Sequence, residues 1–310
     1  MTWTLHRWVW QLEAPLFIGM PPAGALNRCR LFVPTRIIWG AITAELSRLE
    51  SNGSFPTYKE YGQNVSNDCR FTYLYPAEKS EDEYFAWLPK FEKNKGMYWY
   101  RQDKQDKMEE ALSDREFKRS LLDTRPGTAI VPETDSASEG TLRETECITP
   151  WWHKLDANQE DLKPMFLLGY VFFNNNIFPT KLDNIKTLLL GGDTRYGLGK
   201  IIRIENNELS NNPYVFGKKA VLDKDNPIIE SKRVFGHALD KDNPIIESKR
   251  VCGHAKEHQE QMYGMKEILG GWDYDKLCNH LITWAPGSAI DGNNTTTGWS
   301  IDNNGYWYSL

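Results

Sequence analysis

Along residues 3–12, WTLHRWVWQL, apolar and polar positions alternate: Trp8, Trp10 and Leu12 fall on one side, Arg7, Val9 and Gln11 on the other. A period of two predicts a strand with one face toward solvent. A loop rich in Gly and Pro follows, GMPPAGALNRCR, and then a short apolar run from Leu31 to Val33. In RIIWGAITAELSRLE the period lengthens, and Ile38, Ile42 and Leu49, with Ala41 and Leu46, share one helical face. Thr35 is placed as the N-cap. The chain therefore opens strand, loop, helix.

Further on the pattern is less regular. Residues 51–89 mix aromatic and turn-forming residues, and residues 90–119 carry nine Lys or Arg and seven Asp or Glu. Such a mixture predicts a solvated helix with ion pairs along it, or else a projecting arm. Residues 123–150 are poor in apolar positions and read as loop. The run MFLLGYVFF, residues 165–173, is apolar almost without a break and predicts a buried strand. Lys181 to Leu190 reads as a short helix or strand that leads into LLLGGDTRYGLGK, residues 188–200.

Between residues 222 and 255 the chain repeats itself. LDKDNPIIESKRVFGHA is followed at once by LDKDNPIIESKRVCGHA, and the copies differ only in Phe235 against Cys252. Identity this complete marks a tandem duplication, not a solenoid, which needs three or more units to bury a core. The expected place for the extra residues is a peripheral loop or hairpin, with Asp225-Asn226-Pro227 and Asp242-Asn243-Pro244 as turn signals.

Composition narrows the class. The chain has 310 residues, 40% hydrophobic and 25% charged, with a net charge of -5, which suits a globular protein of one large or two smaller domains. The mild acidity argues against non-specific coating of DNA, but a local basic groove suffices for nucleic acid. Twelve Trp leave rings to spare for stacking. Five scattered cysteines with no CxxC predict a reducing compartment. The N-terminal residues do not read as a signal peptide, and no apolar run is long enough for a span, so a cytoplasmic protein is expected with no membrane partner.

The stretch at 188–200 is the first candidate for chemistry. Gly191, Gly192, Gly197 and Gly199 permit close backbone approach. Arg195 offers a fork of donors suited to phosphate, Tyr196 a ring for stacking, and Lys200 a further charge. Lys200 is followed by Ile201, so the Walker pattern is not met, and the dinucleotide GxGxxG is absent. The residues suit a polynucleotide better than a mononucleotide, and a tight glycine turn at a sheet edge accounts for the same glycines without a ligand. A second candidate is Cys252-x-His254-x3-His258 with Cys278-x-His280, which holds zinc-type ligands at a spacing that fits no standard finger. No cofactor and no metal are expected.

Four stretches, in order, give the chain a resemblance. Pro15-Leu16-Phe17-Ile18-Gly19 with Val33-Pro34-Thr35-Arg36 and Trp39-Gly40-Ala41, then Asp135 to Leu142 with Glu146, then GGDTRYGLGK, and last Gly271-Trp272-Asp273 with Trp284-Ala285-Pro286-Gly287-Ser288, together resemble the CRISPR-associated RAMP superfamily. The ending is similar to that of its Cas-five-like subunits in type III effectors. The resemblance implies an α+β, ferredoxin-like (RRM-like) RAMP fold, two such units, with an inserted thumb or hairpin and the glycine-rich loop. The implied division is an N-terminal unit, 1–204, with an insertion around 51–120 and the glycine loop at 191–200, and a C-terminal part, 205–310, with the repeat at 222–255.

It also implies a non-catalytic, RNA-binding subunit that caps the 5′ tag of the crRNA in antiviral defence. Partners would be the crRNA, the backbone RAMP proteins and a large subunit, with target RNA met indirectly. The implied RNA contacts are Asn27, Arg28, Arg30 and Arg36 from the opening, and Gly191, Gly192, Arg195, Tyr196, Gly197, Gly199 and Lys200 from the glycine loop. Two alternatives stay open. A guide-processing endoribonuclease would use His6 as base, although about 110 residues follow the glycine loop here, where processing enzymes of the superfamily have it near the C-terminus. A backbone-type subunit would carry an Asp in the loop after the first strand, and GMPPAGALNRCRLFVP has no acid at all.

Overall fold

The opening alternation becomes β1 (Thr4–Leu12), and the helical period becomes α1 (Thr35–Glu50). The computed structural model describes residues 3–309 except 106, 154–161, 175–176, 210–212, 223–244, 257–260, 274–275 and 292–296. After α1 come α2 (Tyr58–Asp68), β2 (Cys69–Phe71), β3 (Tyr75–Ser80), β4 (Glu83–Glu92), β5 (Gly96–Arg101), β6 (Leu112–Ser113) and α3 (Asp114–Leu121). The next elements are β7 (Leu122–Gly127), β8 (Arg143–Ile148), β9 (Phe166–Phe173), α4 (Ile177–Asp183), β10 (Thr187–Leu189) and β11 (Lys200–Glu208).

These strands make an antiparallel sheet in the order β10-β11-β1-β9-β3-β4-β5-β6, with β2 also paired to β9. β1 lies between β9 and β11, antiparallel to both. Central position buries it on both faces: Leu5, Trp8, Val9 and Trp10 are all enclosed. The expected half-exposed strand is thus corrected. Alternation reports polarity, and the polar positions here are covered by pairing, as Arg7 is by the Glu205 carboxylate at 2.7 Å. The apolar run behaves as expected, since every residue of β9 is buried.

α1 buries Ile38, Ile42 and Leu46 in the core, while Leu49, in its last turn, is exposed. Thr35 does not cap the helix. It is the first helical residue, preceded by Pro34 in extended geometry, and its hydroxyl donates to the Phe71 carbonyl at 2.8 Å. α1 is tied to α2 by the Trp39 indole N–H, which donates to the Gly62 carbonyl at 2.9 Å.

Two other expectations change. The charged stretch 90–119 is mostly not α-helix: β4 and β5 form a hairpin, short 3-10 turns follow at Gln102–Lys104 and Met108–Glu110, and among the described residues only α3, opened by a capping box of Ser113 and Glu116, is α-helical. Residues 123–150 are not simply loop. β7 and β8 pair antiparallel into an arm that also takes the strand Leu26–Asn27 from the opening loop. The arm is largely exposed, which is why its composition is poor in apolar residues.

The C-terminal part is built of strands. β12 (Tyr214–Val215), β13 (Lys218–Val221), β14 (Ile245–Ser248), β17 (Thr297–Ile301) and β18 (Trp307–Ser309) form a five-stranded sheet in that order, and β15 (Lys266–Asp273) and β16 (Lys276–Trp284) form a hairpin. Among the described residues no helix follows Tyr196. The repeat is not wholly peripheral either. Its second copy supplies β14, between β13 and β17, and then the buried Val251, Cys252, His254 and Ala255. Most of the first copy lies outside the described residues.

Candidate nucleic-acid groove

The glycine loop closes against the opening loop. Gly191 has φ +77°, and a Cβ there would stand 2.2 Å from the Phe17 carbonyl oxygen; at Gly199, φ +79°, it would stand 1.9 Å from that of Leu190. The amides of Gly192 and Gly199 donate to Phe17 and Pro15, and those of Tyr196 and Gly197 turn back to Asp193 and Thr194. Those four N–H groups are spent within the protein. The glycines here allow two backbones to touch; they do not hold out a ring of free amides.

What the closure builds is a groove on the α1 side. One cleft of about 520 Å³ runs between α1 and the loop, lined among others by Gly191, Gly192, Thr194, Arg36, Gly40 and Arg48. A second, of about 370 Å³, continues from Gly19, Arg36 and Ile37, which line both, to Arg30, Tyr306 and the β15 residues Ile268 to Gly270. Gly40, Ala41 and Ala44 keep the α1 wall low. Among the described residues three arginines line the two clefts, and no carboxylate does.

The arginines differ in freedom. Arg36 donates to the Asn304 side-chain oxygen at 3.1 Å and lies over the Trp39 ring at 4.7 Å. Arg48 pairs with Glu45 on the same helix. Arg30 is only 8% exposed and is held by Glu267 at 2.8 Å. Glu267 also accepts from Nε2 of His254 at 2.5 Å, and Nδ1 of His254 meets the Tyr73 hydroxyl at 2.6 Å. A carboxylate only accepts, so Nε2 carries the proton toward it, and the neutral ring takes the Tyr73 O–H at Nδ1. Burial lowers the His254 pKa, against the pull of Glu267. Burial works to raise the Glu267 carboxyl, but His254 and Arg30 hold it down to about 2.

The remaining expected contacts are spread out. Asn27 sits on the arm sheet, its amide 3.4 Å from the Thr145 hydroxyl, and Arg28 is half-buried beside it; neither lines the clefts. Arg195, Tyr196 and Lys200 are exposed next to the 520 Å³ cleft but outside its lining. Tyr196 is 58% exposed and has two guanidinium groups over its ring, Arg195 at 4.9 Å and Arg143 at 5.6 Å. Arg143, Arg48, Asn304 and Tyr306 were not among the expected contacts. Arg48 stands about a third of a turn round the helix from Arg36, so local spacing does not pair them, and all four arrive only through the tertiary arrangement.

His6 is 7% exposed, bonded to the Asn206 side-chain oxygen at 3.0 Å, and lines neither cleft. Both ring nitrogens of His254 are taken, and among the described residues no cluster of His, Cys, Asp and Glu has metal-binding geometry. His258 lies outside the described residues, as do the side chains of Cys278 and His280. Among the described residues no helix is long and apolar enough to cross a membrane.

No protein-family model matches the chain, and no curated protein does. Solved structures do. A chain of the type III-B Cmr-beta, solved by cryo-EM bound to cognate target RNA and AMPPnP, aligns with a TM-score of 0.51 at 13% identity, covering 92% of this chain and 85% of that one. A chain of Cmr-beta bound to cognate target RNA aligns at a TM-score of 0.40 and 11% identity over 64% of this chain and 96% of that one. A chain of the apo state aligns at 0.39 and 8% over 67% and 98%. The last two are partial likenesses and bear no weight. The first, across nearly the whole length, shows that this chain shares the fold of a type III-B Cmr-beta chain.

Proposed function

We propose that this protein is a non-catalytic, RNA-binding subunit of a type III CRISPR effector, which grips the 5′ tag of the crRNA and contacts the neighbouring backbone subunit. The observation that carries the reading is the acid-free groove, with Arg36, Arg48 and Arg30 along it and Tyr306 at its end. Guanidinium groups there suit phosphate oxygens, and the apolar stretches between them suit splayed bases. The free Arg195–Tyr196–Arg143 stack would extend the path beyond the groove. Two guanidinium groups over one ring repel each other, and a polyanion relieves that repulsion.

Two further points support it. In the sheet, β11, β1, β9 and the pair β2/β3 stand in the order fourth, first, third, second, all antiparallel, with helices after the first and third, an order that supports a ferredoxin-like reading. The Cmr-beta chain whose fold this chain shares was solved bound to cognate target RNA, which supports an RNA-binding reading. The enclosure of His6 favours the non-catalytic form.

The test is to co-express the tagged protein with its neighbouring genes and a repeat array, purify it, and sequence the bound RNA. Short RNAs with a common repeat-derived 5′ end, in a multi-subunit particle, are the expected outcome. Purification without RNA or partners would end the proposal.

A further inference from the structure

The second copy of the repeat occupies an internal slot, and the first copy carries almost the same residues. In the slot, Ile246 pairs with Ala220 and Trp299, and the Trp299 indole donates to the Ser248 carbonyl at 2.7 Å. The Cys252 carbonyl accepts from the Tyr75 hydroxyl at 3.0 Å, a Cβ on Gly253 would meet the Trp307 indole at 2.5 Å, and His254 bridges Tyr73 and Glu267. The Ser248 hydroxyl oxygen also accepts from the Arg250 amide at 3.0 Å, so the slot demands a strand residue, a serine, a glycine and a histidine at fixed spacing. The first copy meets every one of these demands with Ile229, Ser231, Gly236 and His237.

We propose that the two copies compete for this one slot, and that Cys252 against Phe235 decides the competition. With the second copy in place, 23 residues, 222–244, link β13 to β14. With the first in place, the link would be the six residues Leu222 to Pro227, an ordinary hairpin loop, and the 17 surplus residues would follow the slot. Moving a surplus of fixed length from one side of a strand to the other changes loop entropy little. The discriminating term is at one position. Cys252 is 4% exposed in a filled core, and a phenyl ring there is overpacked, which disfavours the first copy by about tenfold to a hundredfold. The fold thus holds two registers 17 residues apart, with a side-chain size difference setting their ratio.

Pulse labelling of thiols in the refolded full chain, read peptide by peptide by mass spectrometry, tests this. In the unaltered chain Cys252 should be protected, like the buried Cys29 and Cys69. Phe235→Cys makes the copies identical. The expected result is that Cys252 becomes labelled in about half of the molecules, with the thiol introduced at 235 protected in those same molecules and labelled in the rest, while Cys29 and Cys69 stay protected. If Cys252 stays fully protected and position 235 reacts fully, the register is set elsewhere and the inference fails. It fails equally if Cys29 and Cys69 lose protection, because the exchange must leave the rest of the core intact. Lys249→Arg, which marks the second copy and changes no thiol, should leave the labelling as in the unaltered chain; a change there would also overturn the assignment to position 252.

Discussion

The hydroxyl of Tyr73 stands 2.6 Å from Nδ1 of His254, a residue 181 positions later. Through Glu267 the contact reaches Arg30 at the floor of the 370 Å³ cleft. The cleft is thus tied to the duplicated segment and to the hairpin of β15 and β16.

Acid should loosen this tie. The folded state holds Glu267 ionised down to about 2, against an ordinary value of 4.5, so its contribution is full above about pH 4.5 and is lost as the pH falls toward 2. His254 acts in the same sense, since the unfolded chain takes up a proton below 6.5 that the buried ring resists. Glu267→Gln should cost about 1–3 kcal/mol at pH 7, less than breaking a fully buried pair because Glu267 is 25% exposed. Urea midpoints at pH 7, 5 and 3 check it. The variant should lose less between pH 5 and 3 than the unaltered protein; an equal loss would remove Glu267 from the account.

The glycines of the loop should separate by position. Gly199→Ala drives a Cβ into the Leu190 carbonyl and should cost about 3 kcal/mol or more. At Gly197 nothing lies within 4 Å, and only the left-handed φ of +85° opposes a side chain, so Gly197→Ala should cost about 1–2 kcal/mol. Thermal melts of the two variants decide this, and equal losses would contradict the closure described for the loop.

RNA binding should weaken in steps that depend on salt. Arg195→Ala and Arg143→Ala should each lower affinity across sequences and reduce the salt slope by about 1. The same holds for Arg36→Ala, with an added loss of stability from the contacts to Asn304 and Trp39. Fluorescence titrations at several salt concentrations measure both quantities. An unchanged slope for Arg143→Ala would take the arm off the RNA path.

Deleting one repeat copy should matter by which copy goes. Loss of residues 222–238 leaves Cys252 in the slot behind a six-residue loop, and stability should be kept. Loss of residues 239–255 places a phenylalanine where Cys252 stands and should cost about 1–3 kcal/mol by overpacking. Denaturant unfolding of the two shortened chains compares them directly.

Local pattern by itself determined the opening strand, the core face of α1 through Ile38, Ile42 and Leu46, and the buried strand at 166–173. These depend on the period of nearby side chains, which any strand or helix must respect. The glycine loop was also legible as a special backbone site, because only glycine accepts such contact at Gly191 and Gly199. Tertiary structure alone decided what those elements face. β1 looks half-exposed until β9 and β11 flank it, and the hairpin of β4 and β5 hides behind charged residues such as Glu92, which accepts from the Tyr100 hydroxyl across it. Asn304 and Tyr306 reach Arg36 and the groove from the far end of the chain, and His254 reaches Tyr73 through a segment that reads as a surplus copy. Such contacts join residues far apart in sequence. Their stability comes from burial and pairing that exist only once the sheets have packed, so no local spacing encodes them.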